Sequence, residues 1–204
     1  MVKDIVIKPT WETVPDDMQG RMVVNIDPGT AFGTGMHETT QLVIKQLEKY
    51  VTPETELLDV GTGSGILAVI AKMLGAKSII GTDLDENAIT ASAENMEANG
   101  FAPDIFKVIQ GNIIDDKAVQ DEVGYEKYDV VTANILADVI MPLSKEIAQH
   151  IKHGGVFITS GIIDMKEDAV KKTIMENPEL EIVDVSHQGD WVSITAVRKQ
   201  TRER

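Results

Sequence analysis

The sequence predicts an α/β domain: a doubly wound, seven-stranded, mostly parallel sheet with an antiparallel last strand. Three observations carry this. From Glu38 onward, short apolar runs alternate with stretches whose apolar residues recur at helical spacing, and strands that alternate with helices build a parallel sheet covered on both faces. Residues 57–67 read Leu-Leu-Asp-Val-Gly-Thr-Gly-Ser-Gly-Ile-Leu, a buried strand that turns sharply on glycines into a helix. The last two strand-like runs, 181–186 and 191–197, are separated only by His187, Gln188, Gly189 and Asp190, a loop short enough for an antiparallel hairpin.

The elements follow in chain order. Residues 1–36 read as an irregular arm and a loop, with strand-like pieces at 4–7 and 21–26 punctuated by prolines and glycines. Residues 37–198 form the domain. Thr40, Val43, Ile44 and Leu47 mark its first helix. Strand 57–60 leads into an almost wholly apolar helix at 66–74, strand 78–81 follows, and helix 86–99 is closed by Gly100 at a left-handed cap position. Asp85 stands where a helix N-cap belongs. Strands at 105–109 and 128–133 come next, then a helical stripe of Ile140, Leu143, Ile147 and Ile151. A strand at 156–159 after Gly154 and Gly155, a helix near 166–175 and the terminal hairpin complete the domain, and 199–204 is a charged tail.

Composition bounds the function. At 204 residues with 43% hydrophobic side chains, the chain makes one domain with a full core. It has no cysteine, which excludes thiol catalysis, disulfides and cysteine-based zinc sites. Its apolar runs are too short to span a membrane and its start lacks a signal-peptide layout, so the expected location is cytoplasmic. A net charge of −14 makes nucleic acid an unfavoured partner and a basic protein a favoured one. The histidines His37, His150, His153 and His187 show no ligand spacing, so no metal is expected; His150 and His153 are expected near a helix end, where the dipole favours them.

The glycine turn is a ligand-binding corner, because glycines let the backbone approach a ligand and the helix start offers free amides. Asp59 lies two residues before Gly61, where a carboxylate repels a pyrophosphate and suits a ligand carrying an ammonium and a sulfonium. Asp83 falls 22 residues after Gly61, where doubly wound folds hold ribose hydroxyls. The spacing G-x-G-x-G also departs from the dinucleotide pattern, which counts against hydride transfer.

Through Asp59 to Gly65, Asp83, Gly111 with Asn112, Asn134 and the antiparallel last strand, the chain resembles the class I S-adenosylmethionine-dependent methyltransferases. That resemblance implies S-adenosylmethionine as cofactor, bound at Asp59, Gly61, Thr62, Gly63, Gly65 and Asp83. It sets Asn112 beside the adenine; an ordinary turn asparagine is the equal alternative. The loop 27–40, Asp-Pro-Gly-Thr-Ala-Phe-Gly-Thr-Gly-Met-His-Glu-Thr-Thr, is more specific. Taken with residues 133–137, Ala-Asn-Ile-Leu-Ala, it resembles the ribosomal protein L11 methyltransferases, over about residues 11–198. Cofactor contacts are then implied at Thr40, Gly61, Asp83 and Asn134, with the loop of Phe32, Thr34 and His37 closing over the methyl donor.

Asn134 can accept a hydrogen bond from an attacking amine and aim its lone pair. Ile135 and Leu136 follow it, where enzymes acting on planar amides or bases carry Pro-Pro-aromatic, so an aliphatic amine is expected. The implied activity is methylation of a lysine side chain or N-terminal amine of a basic ribosomal protein. Another amine, an RNA, a small molecule, or cofactor binding without turnover are the alternatives. Removal of the amine proton by His37 ranks below a packing role. Family members usually carry a further N-terminal domain that grips the substrate, and this chain opens in what looks like the linker after it. The expectation is an excised catalytic domain or a natural short form.

Overall fold

The structure is a computed structural model, and it describes residues 5–27 and 37–200. Its main sheet contains β3 (Glu56–Val60), β4 (Ser78–Asp83), β5 (Phe106–Gln110), β6 (Tyr128–Asn134), β7 (Ile151–Ile163), β8 (Leu180–Gln188) and β9 (Trp191–Arg198), while β1 (Ile5–Lys8) and β2 (Met22–Asn25) form a separate parallel pair. The helices are α1 (Glu38–Tyr50), α2 (Ile66–Met73), α3 (Glu86–Ala98), α4 (Lys117–Val123), α5 (Ala137–Glu146) and α6 (Glu167–Glu176).

The seven strands lie in the order β5-β4-β3-β6-β7-β9-β8. Strand β9 runs antiparallel to both β7 and β8, so it is inserted between two strands that share the direction of the rest. The expected mostly parallel sheet with a reversed last strand is present.

Alternating side chains divide the core between the two faces. Leu58, Val131, Phe157 and Ile194 pack with the side chains of α5 and α6, whereas Leu57, Val130 and Ile158 pack with α1 and α2. Helix α2 is buried nearly all round, from Ile66 to Ala71, as its uniformly apolar sequence requires. A fully buried leucine or isoleucine contributes roughly 1.5–3 kcal/mol. The arm joins the second face through Ile5, Val24 and Ile26. Asparagines pin it there: Asn25 N–H donates to Asn99 Oδ1 at 2.8 Å, Asp27 N–H to Asn95 Oδ1 at 3.0 Å, and Asn95 Nδ2 to Ser64 O at 2.9 Å.

Three details differ from the sequence reading. Helix α4 was not expected; it has only seven residues, started by Asp116, whose side chain accepts from Ala118 N–H and Val119 N–H. Ile151 belongs to a strand, because the chain tightens into a 3₁₀ turn at Ile147–His150 after α5 and Ile151 then pairs with Tyr128. The terminal hairpin turns on Gly189 and Asp190 alone, since His187 and Gln188 continue the ladder opposite Val192 and Trp191. Asp85 caps α3 as expected, accepting from Asn87 N–H at 2.9 Å.

Candidate active site

The carboxyl ends of β3 to β7 and the start of β9 open on one cavity of about 600 Å³. Ligands of open parallel sheets gather at this edge, and the volume suits a small-molecule site. The glycine turn forms its floor. Gly61, Gly63 and Gly65 have φ of +70°, +54° and +77°, a region that side-chain-bearing residues avoid. Gly61 N–H and Thr62 N–H donate to Thr82 O at 2.8 and 3.1 Å, which ties the turn to β4.

Asp83 ends β4 at the lip of the cavity. One of its oxygens accepts Gly63 N–H at 2.8 Å and the other Asp85 N–H at 3.0 Å. The carboxylate is thereby held rigid, and each oxygen keeps a lone pair for a further donor. Asn112 lines the cavity beside it, and its oxygen accepts Ile114 N–H at 3.1 Å. That bond is the turn role, and the amide nitrogen remains available to a ligand.

Asn134 ends β6, and its amide nitrogen donates to the hydroxyl of buried Thr40 at 3.2 Å. The side-chain oxygen is left as the acceptor. His37 caps α1, its Nδ1 accepting Thr39 N–H at 3.3 Å, and its ring meets Trp191 edge to face with centroids 4.9 Å apart. With Nδ1 engaged as an acceptor, the neutral ring carries its proton on Nε2. Of the expected site residues, His37, Thr40, Gly61, Thr62, Gly63, Asp83, Asn112 and Asn134 line this cavity.

Two lie behind it. Asp59 is only 1% exposed, and the hydroxyls of Thr62 and Thr132 each donate to it at 2.7 Å. Burial pushes its carboxyl up to about 6, nearby Asp83 adds to the rise, and the two hydroxyls oppose it. Its contact is with the turn from below, not with the cavity. A Cβ on Gly65 would lie 2.7 Å from Ser92 Cβ, so this glycine lets α2 and α3 approach. Phe32 and Thr34 lie outside the described residues.

Other lining residues carried no role in the sequence reading: Leu84, Ile113, Val139, Gly161 and Trp191. Trp191 arrives because the hairpin returns to the cavity, which local patterning does not reveal. His150 does stand at a helix end, in the last turn of the 3₁₀ segment Ile147–His150 after α5. The ring is buried, with Nδ1 at 2.6 Å from Gly124 O, and burial lowers its pKa below the usual histidine value. His153 lies in β7, its Nδ1 at 2.7 Å from Lys199 O. Among the described residues no group of three or more histidines and carboxylates could hold a metal ion, and no helix is long and apolar enough to cross a membrane.

Fold and site together define a doubly wound α/β domain with a small-molecule cavity at the carboxyl edge of its sheet. Solved structures at low identity share that fold, among them a putative S-adenosylmethionine-dependent methyltransferase from Streptococcus mutans at 15% identity and TM-score 0.67, covering 85% of this chain and 57% of that one. The model of the ribosomal protein L11 methyltransferase family (PrmA) matches residues 1–199, and the chain belongs to that family. The ribosomal protein L11 methyltransferase of Lachnospira eligens is 61% identical over 97% of this chain and 62% of the relative. That of Agathobacter rectalis is 51% identical over 96% and 61%. The crystal structure of ribosomal protein L11 methylase from Lactobacillus delbrueckii subsp. bulgaricus superposes with TM-score 0.82 at 33% identity, covering 96% of this chain and 94% of that chain. The chain thus spans about three fifths of the length of these curated relatives, 62% and 61%.

Proposed function

We propose that the chain is the catalytic unit of an S-adenosylmethionine-dependent methyltransferase that modifies an amine of ribosomal protein L11, a lysine side chain or the N-terminus. One observation carries the reading. A backbone-fixed carboxylate, Asp83, and a strand-end acceptor, Asn134, face the same cavity on either side of a glycine turn.

The residues fit the cofactor. Asp83 offers two oriented oxygens to vicinal ribose hydroxyls, Leu84 and Ile113 give apolar surface to a planar base, and the amide nitrogen of Asn112 is free to meet its edge. The glycine turn admits the cofactor's backbone close to the chain, with Asp59 behind it. When bound, S-adenosylmethionine would supply an electrophilic sulfonium methyl group, whose carbon an amine lone pair would attack in line while the carbon–sulfur bond breaks and S-adenosylhomocysteine leaves. The chain's own share is placement. The Asn134 oxygen accepts a hydrogen bond from the entering amine and so aims the lone pair. Thr40 holds that side chain in place. His37 serves as helix cap and as a wall beside Trp191, and the apolar side chains nearby exclude water.

The family and the acidic balance of −14 support a basic ribosomal protein as substrate, acting in the cytoplasm, in preference to nucleic acid or a membrane surface. Mass spectrometry after incubation with S-adenosylmethionine and purified ribosomal protein L11 tests the reading. Methyl groups on an amine of that protein are expected; tight cofactor binding with no modified amine would overturn it.

A further inference from the structure

The surface beside the Trp191 end of the cavity is apolar. Leu136 is 70% exposed and Met165 87% exposed, and Val139 and Ile163 are exposed as well. Two segments supply these side chains. Leu136 caps α5, and Val139 stands one turn further along the helix. Ile163 ends β7, and Met165 sits in the 3₁₀ turn Asp164–Lys166. Lys166 Nζ donates to both oxygens of Asp138, at 2.7 and 2.6 Å, which clamps that turn against the start of α5. Ile163 also faces Trp191 in the β7–β9 ladder. The ledge is therefore continuous with the cavity, which Leu136, Val139 and Trp191 line while Ile163 and Met165 lie outside it. Single exposed apolar residues are ordinary, but four on one lip of a ligand cavity mark an interaction surface.

The charges around the ledge choose the partner. Asp164 and Asp190 stand beside Ile163 and Trp191, with Asp164 N–H donating to Asp190 O at 2.9 Å. The neighbouring basic side chains are already engaged: Lys166 with Asp138, Lys171 with Glu167, His187 with Glu167 at 2.7 Å, and Lys45 with the Gln188 side-chain oxygen at 2.9 Å. An acidic lip attracts a basic chain and repels phosphates.

We infer that this ledge docks an extended segment of a basic protein, whose target amine enters the cavity while aliphatic side chains flanking it rest on Met165, Ile163 and Leu136. The inference rests on the amine-methyltransferase reading and adds that the catalytic unit itself reads the neighbours of the target amine.

The test uses two fluorescein-labelled peptides, one with a lysine between leucines and one with a lysine between glycines, against the unaltered chain, Met165→Ser and Met165→Leu. Fluorescence anisotropy reads binding without turnover. The leucine-flanked peptide should bind Met165→Ser about tenfold more weakly than the unaltered chain. Met165→Leu should restore binding, and the glycine-flanked peptide should bind all three alike. KM for the leucine-flanked peptide should rise by the same factor with kcat unchanged, and S-adenosylmethionine affinity and thermal midpoint should hold constant. Equal binding of the leucine-flanked peptide by all three chains would overturn the ledge. So would sedimentation showing that Met165→Ser dissociates a dimer, because the occupant would then be a second copy. Ledge-dependent binding with no methylation of either peptide upholds the ledge and counts against the methyltransferase reading.

Discussion

A carboxyl group buried against hydroxyls, with no cation beside it, should make the fold more stable in mild acid, and Asp59 is such a group. An exposed aspartate titrates near 3.8, and burial moves Asp59 to about 6. The folded state therefore binds a proton more tightly than the unfolded chain does. Between those two values the native protein is protonated at Asp59 and the unfolded chain is not, so this group's contribution to stability falls as pH rises through the window. Each pH unit corresponds to about 1.4 kcal/mol, which puts the cost of the ionised carboxylate at pH 7 on the order of 3 kcal/mol. Asp59→Asn removes the titration and keeps a shape that Thr62 and Thr132 can bond, since their hydroxyls can accept from the amide nitrogen as well as donate to its oxygen. Urea unfolding of both proteins at pH values from about 4 to 7.5 isolates the effect, because every other titrating group cancels in the difference. The variant should gain stability relative to the unaltered chain as pH rises and match it near pH 4. Parallel curves across the range would refute the reasoning.

Asp83→Ala should weaken S-adenosylmethionine binding by roughly ten- to a hundredfold, the worth of hydrogen bonds to a charged acceptor at about 1.5–3 kcal/mol; unchanged affinity by calorimetry would remove the ribose assignment. Asn134→Ala should lower kcat by about a hundredfold through misplacement of the amine while changing cofactor affinity far less. Lost cofactor binding with kcat intact would make Asn134 a binding residue only. Gly65→Ala places a Cβ 2.7 Å from Ser92 Cβ and 3.0 Å from Ser92 Cα. It should lower stability by about 1–3 kcal/mol, seen as an earlier thermal transition, because α3 must shift.

Much of the fold was legible because its signals are local. The glycine turn, the Asp85 cap and the alternation of apolar runs need no distant partner. Helix α4 was missed because seven residues give too little periodicity to stand out from a loop. Ile151 was misplaced because it continues the spacing of Ile147, and only pairing with Tyr128 across the sheet claims it for a strand. The same division holds at the site. Asp83 and Asn134 were visible as polar residues at strand ends. The burial of Asp59 was not, since Thr132 reaches it from another strand. Trp191 and the Met165 ledge come to the cavity only through the hairpin and the Lys166–Asp138 clamp.

Under the proposed function, the sheet order also sets where the two substrates would meet. Along the cavity edge the strand ends bring Asn112, Asp83, Gly61, Asn134, Gly161 and Trp191 in succession, from β5 through β4, β3, β6 and β7 to β9. Strands are spaced about 4.8 Å apart, so four spacings, about 19 Å, separate β4 from β9 across the sheet, and β6, which ends in Asn134, lies midway. One side of that midpoint carries the carboxylate and glycine turn suited to a ribose and its base. The other carries the aliphatic and aromatic walls suited to an extended side chain. On the function proposed above, a methyl group passing between ligands held on the two sides would cross beside Asn134, where the side-chain oxygen left by its bond to Thr40 is placed to aim an amine.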